Sequence, residues 1–223
     1  MQPQADPFIV PVCHEALTVL YQDEYLLLVN KPSGLLTLSG KHPLNKDSVH
    51  FRLVQDHPTA LMLHRLDFGT SGILVVALNK EINGHITRQF QARTVDKTYT
   101  AILHGHLAED TGTIEYPIAK DSDNFPLQKI CYEAGKAAIS NYEVVERLHA
   151  PHVTRVRFKP VSGRTHQLRI HSREIGHPIL GCDLYATNEA FSMAKRLMLH
   201  ATTIAFDHPV TGERINFTSS CPF

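Results

Sequence analysis

The sequence of this 223-residue chain lacks several features that would place it in a special class. No apolar run is long enough to cross a bilayer, since runs such as 73–78 have the length of one strand. The first seven residues have neither the basic patch nor the apolar core of a secretory signal. Basic and acidic residues number 22 each, so the net charge does not indicate a nucleic-acid partner. We therefore expect a cytoplasmic protein that does not contact a membrane.

Motifs for metal binding are also absent. The four cysteines lie far apart and form no C-x-x-C pair; they are Cys13, Cys131, Cys182 and Cys221. This spacing argues against a zinc site and favours free thiols in a reducing compartment. There are fifteen histidines but no H-E-x-x-H motif, and His166 and His171 are five residues apart, which does not suit a zinc peptidase.

The composition and the order of elements predict an α+β fold. Hydrophobic residues make up 43% and charged residues 20%, as in an ordinary globular protein. We expect an N-terminal extension over residues 1–16 and a single domain over 17–223. Predicted helices begin at Asp47, after Asn79 and near Thr165, and the first of them runs to about His57. The other segments read as strands of a mixed, mostly antiparallel β-sheet with flanking helices and a central cleft.

The charge is unevenly distributed along the chain. Between Arg147 and Arg173 there is no acidic residue, although the stretch contains seven lysines and arginines. In the predicted strand 153–159, the alternation of side chains places Arg155, Arg157 and Lys159 on one face. Two interpretations remain open: a solvated strand and helix whose acids come from elsewhere in the fold, or a surface that binds a polyanion.

The loop between the apolar runs 61–63 and 73–78 is the sharpest local signal. It reads His64-Arg65-Leu66-Asp67-Phe68-Gly69-Thr70-Ser71-Gly72. A polar loop between buried strands presents its side chains at a sheet edge, where sites are commonly built. By itself, however, Asp67 is far more typical of a turn aspartate that bonds a nearby amide. Ser71 lacks the G-x-S-x-G spacing of a nucleophile elbow.

Two further segments contain candidate residues. The first is Gly163-Arg164-Thr165-His166-Gln167-Leu168-Arg169-Ile170-His171, a glycine leading into a basic helix. On a helix, His166, Arg169 and Arg173 share one face, which is also typical of plain solvent exposure. The second is Lys97-Thr98-Tyr99-Thr100-Ala101, where Tyr99 lies in mid-strand and by itself indicates only packing.

Taken together and in this order, these three segments resemble the motifs of the RluA family of pseudouridine synthases. Further matches are 29–34, 176–185 and 196–201, so the resemblance extends from about Val19 to Phe217. The chain is most similar to the short branch of the family, and we expect no S4 domain before Val19. The resemblance implies that residues 17–223 form a pseudouridine synthase catalytic domain.

The resemblance also implies roles for the site residues. Asp67 is the expected catalytic carboxylate, acting either by covalent attack or by removing a sugar proton. Arg164 is expected to keep that carboxylate ionised, because a guanidinium opposes the effect of desolvation. Tyr99 is expected to stack on the uracil, and Ile170 to pack beside it. The reaction adds and removes nothing overall, so we expect no cofactor and no metal.

The expected partner is structured RNA, either large-subunit ribosomal RNA or transfer RNA, and the expected state is a monomer. The target base must leave its stack, and Arg65 resembles the residue that fills the vacated space. His64 is expected to shape the loop at the substrate, and Arg155, Arg157 and Arg169 to hold phosphates. Two other functions stay open: an RNA-binding protein with an inactive site, and a histidine-rich metal hydrolase.

Overall fold

The computed structural model describes residues 9–223, which form two compact units. The first unit contains the chain up to Val95 together with Ile204–Ser220. The second unit contains Asp96–Thr203 together with Cys221–Phe223. Within the described range, no helix is long and apolar enough to cross a membrane.

The described part of the chain consists mainly of strands, with helices between some of them. The strands are β1 (Thr18–Gln22), β2 (Leu26–Lys31), β3 (Leu61–Met62), β4 (Ser71–Ala77), β5 (Asp96–His104), β6 (Thr111–Glu115), β7 (Ile118–Lys120), β8 (Gln128–Ile130), β9 (Ile139–His149), β10 (His152–Pro160), β11 (Leu199–Asp207) and β12 (Arg214–Thr218). The helices are α1 (Val49–Leu53), α2 (Lys80–Ala92), α3 (Gln167–Glu174) and α4 (Asn188–Ser192), with a 3₁₀ turn at Ser122–Asn124. The predicted α+β class is therefore confirmed, whereas the central cleft stays a prediction.

The first unit is built around β4. This strand pairs antiparallel with β2 and β3, and β2 pairs antiparallel with β1. Every residue of β4 is buried, as its continuous apolar run predicts. Helix α2 packs Ile82 and Ile86 into the same core. Its predicted start is confirmed, because the Asn79 side chain accepts a hydrogen bond from the Ile82 amide.

The second unit is an antiparallel sheet in the order β5, β10, β9, β6. The side chains of β10 alternate as predicted: Val156 and Phe158 are buried and Arg157 is exposed. Strands β7 and β8 pair with each other in a separate two-stranded sheet. Strand β11 contributes Leu199–Thr203 to this unit and its remaining residues to the first unit.

Three predicted helix boundaries were wrong. Helix α1 ends at Leu53, before the predicted end near His57. Helix α1 begins after Ser48 instead of Asp47, because the Ser48 hydroxyl accepts a hydrogen bond from the Phe51 amide. Asp47 instead forms an ion pair with Arg52 at 2.6 Å. Helix α3 begins at Gln167, because the backbone at His166 is left-handed with φ of 56°.

The predicted N-terminal extension, 1–16, falls only partly in the described range, which excludes residues 1–8. Residues 9–16 form neither helix nor strand. The Arg52 guanidinium donates hydrogen bonds to the carbonyl oxygens of Cys13, at 2.6 Å, and Glu15, at 2.5 Å. The described part of the extension therefore lies against α1.

Candidate active site

Asp67 lies in the loop between β3 and β4 of the first unit. Its side chain is half-buried, whereas Arg65 is exposed and Leu66 and Thr70 are buried. The Thr70 amide donates to the Asp67 carbonyl oxygen at 3.1 Å, which closes a turn. The loop is thus anchored by buried residues on both sides of Asp67.

Thr37 holds the peptide groups immediately before Asp67. Its side chain is 4% exposed. The Thr37 hydroxyl donates to the Leu66 carbonyl oxygen at 2.8 Å and accepts from the Leu66 amide at 3.2 Å. Both polar backbone groups of Leu66 are therefore satisfied by one side chain, and their position depends on it.

Lys31 holds the backbone of Phe68, the residue that follows Asp67. This lysine is fully buried, and its ammonium donates to the Phe68 carbonyl oxygen at 3.0 Å. It also donates to the carbonyl oxygens of Leu35, at 2.6 Å, and Pro32, at 3.0 Å. A buried ammonium is costly unless it is hydrogen-bonded, and these three carbonyl groups supply that compensation.

The turn after Lys31 adds two more contacts to the same loop. The Gly34 amide donates to the Phe68 carbonyl oxygen at 2.9 Å, and the Ser33 hydroxyl donates to that of Gly69 at 2.7 Å. Gly34 has φ of +77°, a conformation that glycine adopts without strain. The sequence predicted only a turn here, although residues 29–34 were among the family motifs and so offered a signal.

His64 shapes the start of the loop. Its Nε2 atom accepts a hydrogen bond from the Val75 amide in β4 at 3.1 Å. Its ring packs against Phe90 of α2, with 5.2 Å between ring centroids. The ring thus joins the loop to the strand and helix that follow it, in agreement with a loop-shaping role.

Arg164 lies in the second unit, just before α3. It is half-buried, and its Nε–H donates to the Ala137 carbonyl oxygen at 3.2 Å. Its amide donates to Oε1 of Gln167 at 2.9 Å, and its carbonyl oxygen accepts from the Gln167 amide at 3.0 Å. Gln167 therefore bonds both the amide and the carbonyl oxygen of Arg164 and fixes its backbone.

Gln167 is itself held by a buried network. Its Oε1 also accepts from the Ser162 hydroxyl at 2.8 Å. Its Nε2 donates to the Ile139 carbonyl oxygen at 3.0 Å and to the Ser140 hydroxyl at 2.9 Å. Sequence reasoning did not give Gln167 a role, and the only signal for one was its place within the motif 163–171.

Tyr99 lies in the same unit as Arg164. It is half-buried on β5, opposite Phe158 of β10, and packs against the core of this unit. Asp67 belongs to the other unit. The expected pairing of Asp67 with Arg164 thus involves residues of two different units, and it stays a prediction.

Arg169 and Ile170 both pack inside the second unit. The Arg169 side chain is 5% exposed; its Nη2 donates to Asp183, and its Nε to the Cys182 sulfur at 3.3 Å. Ile170 is fully buried in the core of the second unit. Both side chains are buried in the structure, and their expected contacts with a phosphate and a base stay predictions.

The basic side chains of β10 have partners from other parts of the chain. Because β10 pairs with β9, Arg157 lies opposite Glu143 and contacts it at 2.9 Å. Lys159 lies 3.5 Å from Asp96 of β5. Arg155 donates to the Phe223 backbone oxygen at 2.7 Å. Acids from elsewhere in the fold thus face two of these three bases, and binding of a polyanion by this surface stays a prediction.

The cysteines are free thiols, as predicted, and Cys182 is buried. The part of the chain that the structure describes contains no group of three or more His, Cys, Asp or Glu side chains arranged to hold a metal ion. The candidate site residues are Asp67, Tyr99 and Arg164, together with the buried side chains that hold the backbone near Asp67 and at Arg164.

Comparison with known proteins agrees with these motifs. A family model described as RNA pseudouridylate synthase matches residues 25–174. The dual-specificity RNA pseudouridine synthase RluA of Yersinia pestis is 48% identical over 207 residues, covering 93% of this chain and 100% of that protein. The protein of the same name from Escherichia coli is 46% identical, covering 93% and 94%. The solved structure of human RNA pseudouridylate synthase domain containing 1 has a TM-score of 0.80 at 33% identity, covering 96% of this chain and 86% of that one.

Proposed function

The chain belongs to the RluA family of RNA pseudouridine synthases, and on this premise we propose that Asp67 is the carboxylate with which it isomerises uridine to pseudouridine in RNA. In this reaction the bond from N1 to the sugar carbon breaks, the uracil turns, and C5 bonds to the same carbon. C5 loses a proton and N1 gains one, so the product is an isomer of the substrate. A carboxylate suits either covalent attack or removal of a sugar proton.

The observation that carries this proposal is the way the loop is held. Two buried side chains bond the backbone of the residues next to Asp67: Thr37 bonds the amide and the carbonyl oxygen of Leu66, and Lys31 bonds the carbonyl oxygen of Phe68. A turn aspartate with no function does not need such support from another chain segment. A catalytic carboxylate does, since a displacement of about 1 Å can cost 10²-fold in rate.

Arg164 and Tyr99 complete the proposed machinery. Arg164 supplies the positive charge that keeps the carboxylate ionised when the substrate excludes water. The hydrogen bonds of its backbone to Gln167 support such a role, because they fix the point from which the side chain extends. Tyr99 stacks on the uracil while the base is detached from the sugar.

The proposed substrate is a stem-loop of ribosomal RNA, transfer RNA or both, by analogy with relatives described as having dual specificity. The target base leaves its stack at a cost of about a few kcal/mol, and the exposed Arg65 fills the space. Arg157 can exchange its partner for a phosphate, because exposed ion pairs are worth only about 0–1 kcal/mol. We further propose that the protein acts as a monomer in the cytoplasm.

Release of tritium from uracil C5 tests the proposal. Wild-type protein is incubated with cellular RNA that carries tritium at this position, taken from cells that lack the gene. We expect release by wild type and none by Asp67→Asn, which keeps the shape of the side chain but not its charge. Asp56→Asn is the matched control, because Asp56 is exposed and lies in the same unit.

Two results would count against the proposal. If wild type released no tritium from any RNA pool, an RNA-binding protein with an inactive site would explain the chain better. If Asp67→Asn released tritium at the wild-type rate, the assignment of the carboxylate would be wrong. Mapping pseudouridine in RNA from cells with and without the gene then identifies the target nucleotide.

A further inference from the structure

The second unit contains a buried tyrosine, Tyr185, that no step of the proposed chemistry uses. Its side chain packs in the core of this unit, and the residue is 4% exposed. The guanidinium carbon of Arg169 lies 5.4 Å from the centroid of its ring. Core packing and a cation–π contact require only an aromatic ring, which a phenylalanine would also supply. The buried hydroxyl group therefore has a separate role.

The Tyr185 hydroxyl group joins two other segments of the unit. The Gln128 amide in β8 donates a hydrogen bond to the hydroxyl oxygen at 2.8 Å. Nδ1 of His166 also lies 2.8 Å from this oxygen, and the two rings meet edge to face. Since an amide can only donate, the hydroxyl hydrogen is left for His166, whose Nδ1 accepts it when the ring carries its own hydrogen on Nε2. The His166 side chain is thus held by a residue 19 positions away.

His166 occupies a strained position in the turn that begins at Arg164. The Gln167 amide donates to the Arg164 carbonyl oxygen at 3.0 Å, which closes a turn of four residues. His166 is the third of them, with φ of 56° and ψ of 17°. A left-handed third residue is typical of a type II turn, and glycine or asparagine adopts it more readily than other residues. A histidine at this place therefore needs a contact that favours the conformation, and the Tyr185 hydroxyl supplies one.

The same turn sets the point from which the Arg164 side chain extends. Arg164 is its first residue, and both the amide and the carbonyl oxygen of Arg164 are bonded by Gln167, the last residue of the turn. A change of the backbone at His166 would rotate the peptide groups between them. Arg164 would then shift relative to α3 and to the core on which α3 packs. The conformation of His166 thus controls where the guanidinium lies.

We propose that Tyr185 is a positioning residue for Arg164: its hydroxyl group holds the His166 side chain and thereby the turn from which the Arg164 guanidinium extends. Tyr185 itself does not touch the substrate and acts only through His166. A displacement of about 1 Å at a reacting group can cost 10²-fold in rate, so a bond that fixes this turn affects turnover. The proposal rests on the proposed function, since it requires that Arg164 takes part in the reaction.

The variant Tyr185→Phe tests this role, because it removes the hydroxyl group and keeps the ring. We expect kcat for tritium release to fall roughly tenfold, while KM stays within about twofold of wild type. Such a split indicates a loss in the reaction step and not in RNA binding. Tyr142→Phe is the matched control, since Tyr142 is a half-buried tyrosine of β9 that packs against the same core. We expect this variant to keep both constants of wild type, with all rates measured below the thermal unfolding transition.

Two substitutions at His166 separate positioning from a general loss of stability. Asparagine adopts the left-handed backbone readily, and its side-chain amide can still bond the hydroxyl group, so His166→Asn should keep most of the wild-type kcat. Leucine has bulk but no bonding group, so His166→Leu should lower kcat as much as Tyr185→Phe does. The double variant with Tyr185→Phe and His166→Leu should be at most about twofold slower than either single variant, because both changes remove the same hydrogen bond.

The role of Tyr185 is refuted if Tyr185→Phe releases tritium with the kcat and KM of wild type. It is also refuted if His166→Asn is as slow as His166→Leu, since the imidazole itself would then be required, or if the effects of the two changes multiply in the double variant. In each of these cases, continued tritium release by wild type would leave the proposed function standing. If wild type released no tritium, the function and the role of Tyr185 would both be wrong.

Discussion

Replacing Thr37 with valine tests whether the buried hydroxyl positions the catalytic loop. Valine keeps the shape of the side chain but cannot form the two hydrogen bonds to Leu66, at 2.8 and 3.2 Å. Leu66 is 6% exposed, so water does not readily replace the lost partner. The change thus leaves one buried amide and one buried carbonyl group unsatisfied, directly before Asp67.

The expected cost follows from those two groups. A buried polar group without a partner costs about 1–3 kcal/mol, so the two together set an upper range of about 2–6 kcal/mol. Since the loop can shift to recover part of this, we expect the free energy of unfolding to fall by roughly 2–3 kcal/mol. For a chain of this size, that corresponds to a decrease in Tm of roughly 4–12 °C.

Thermal unfolding measures this loss of stability, and tritium release at saturating RNA measures kcat. We expect kcat to fall with stability, because Leu66 sets the position of Asp67. Thr37→Ser is the control, since it keeps the hydroxyl and should retain most of both quantities. Equal Tm and equal kcat for wild type and Thr37→Val would refute the positioning role.

Three other changes have defined outcomes. Arg164→Ala should abolish nearly all turnover in single-turnover tritium release while the far-UV circular dichroism stays unchanged. Arg173→Ala, a control at an exposed arginine of α3, should keep the turnover of wild type. Asn79→Ala removes the N-cap of α2 and should lower the free energy of unfolding by about 1 kcal/mol in urea titrations, with kcat unchanged. Burial lowers the pKa of His171, so the unfolded chain binds a proton at this residue more readily than the folded chain. The contribution of His171 to the free energy of unfolding should therefore be complete above a pH of about 6.5 and decrease as the pH falls below it. Urea titrations across this range should show a smaller decrease for His171→Asn.

Local patterns predicted a large part of the fold. The continuous apolar run of β4, the alternation along β10 and the cap at Asn79 each depend on residues only a few positions apart. Helix α1 shows where such reasoning fails. Asp47 and Ser48 are both good capping residues; in the structure Ser48 caps the helix and Asp47 pairs with Arg52.

The charge of the basic stretch could not be predicted in the same way. An arginine on a strand is neutralised or not according to the residues opposite it, and these come from another strand. Arg157 meets Glu143, and Lys159 meets Asp96, because of the register of β10 with its two neighbours. Arg169 is likewise buried by contacts with Cys182 and Asp183. These two residues are 13 and 14 positions away and lie outside the helix of Arg169.

The sequence by itself determined the family, since the motifs around Asp67, Tyr99 and Arg164 are contiguous and can be recognised without coordinates. Only the tertiary structure decided which residues hold those motifs in place. Thr37 bonds a residue 29 positions away, and Lys31 one 37 positions away. Hydrogen bonds over such separations depend on how strands and loops pack, and no pattern within a few residues records that.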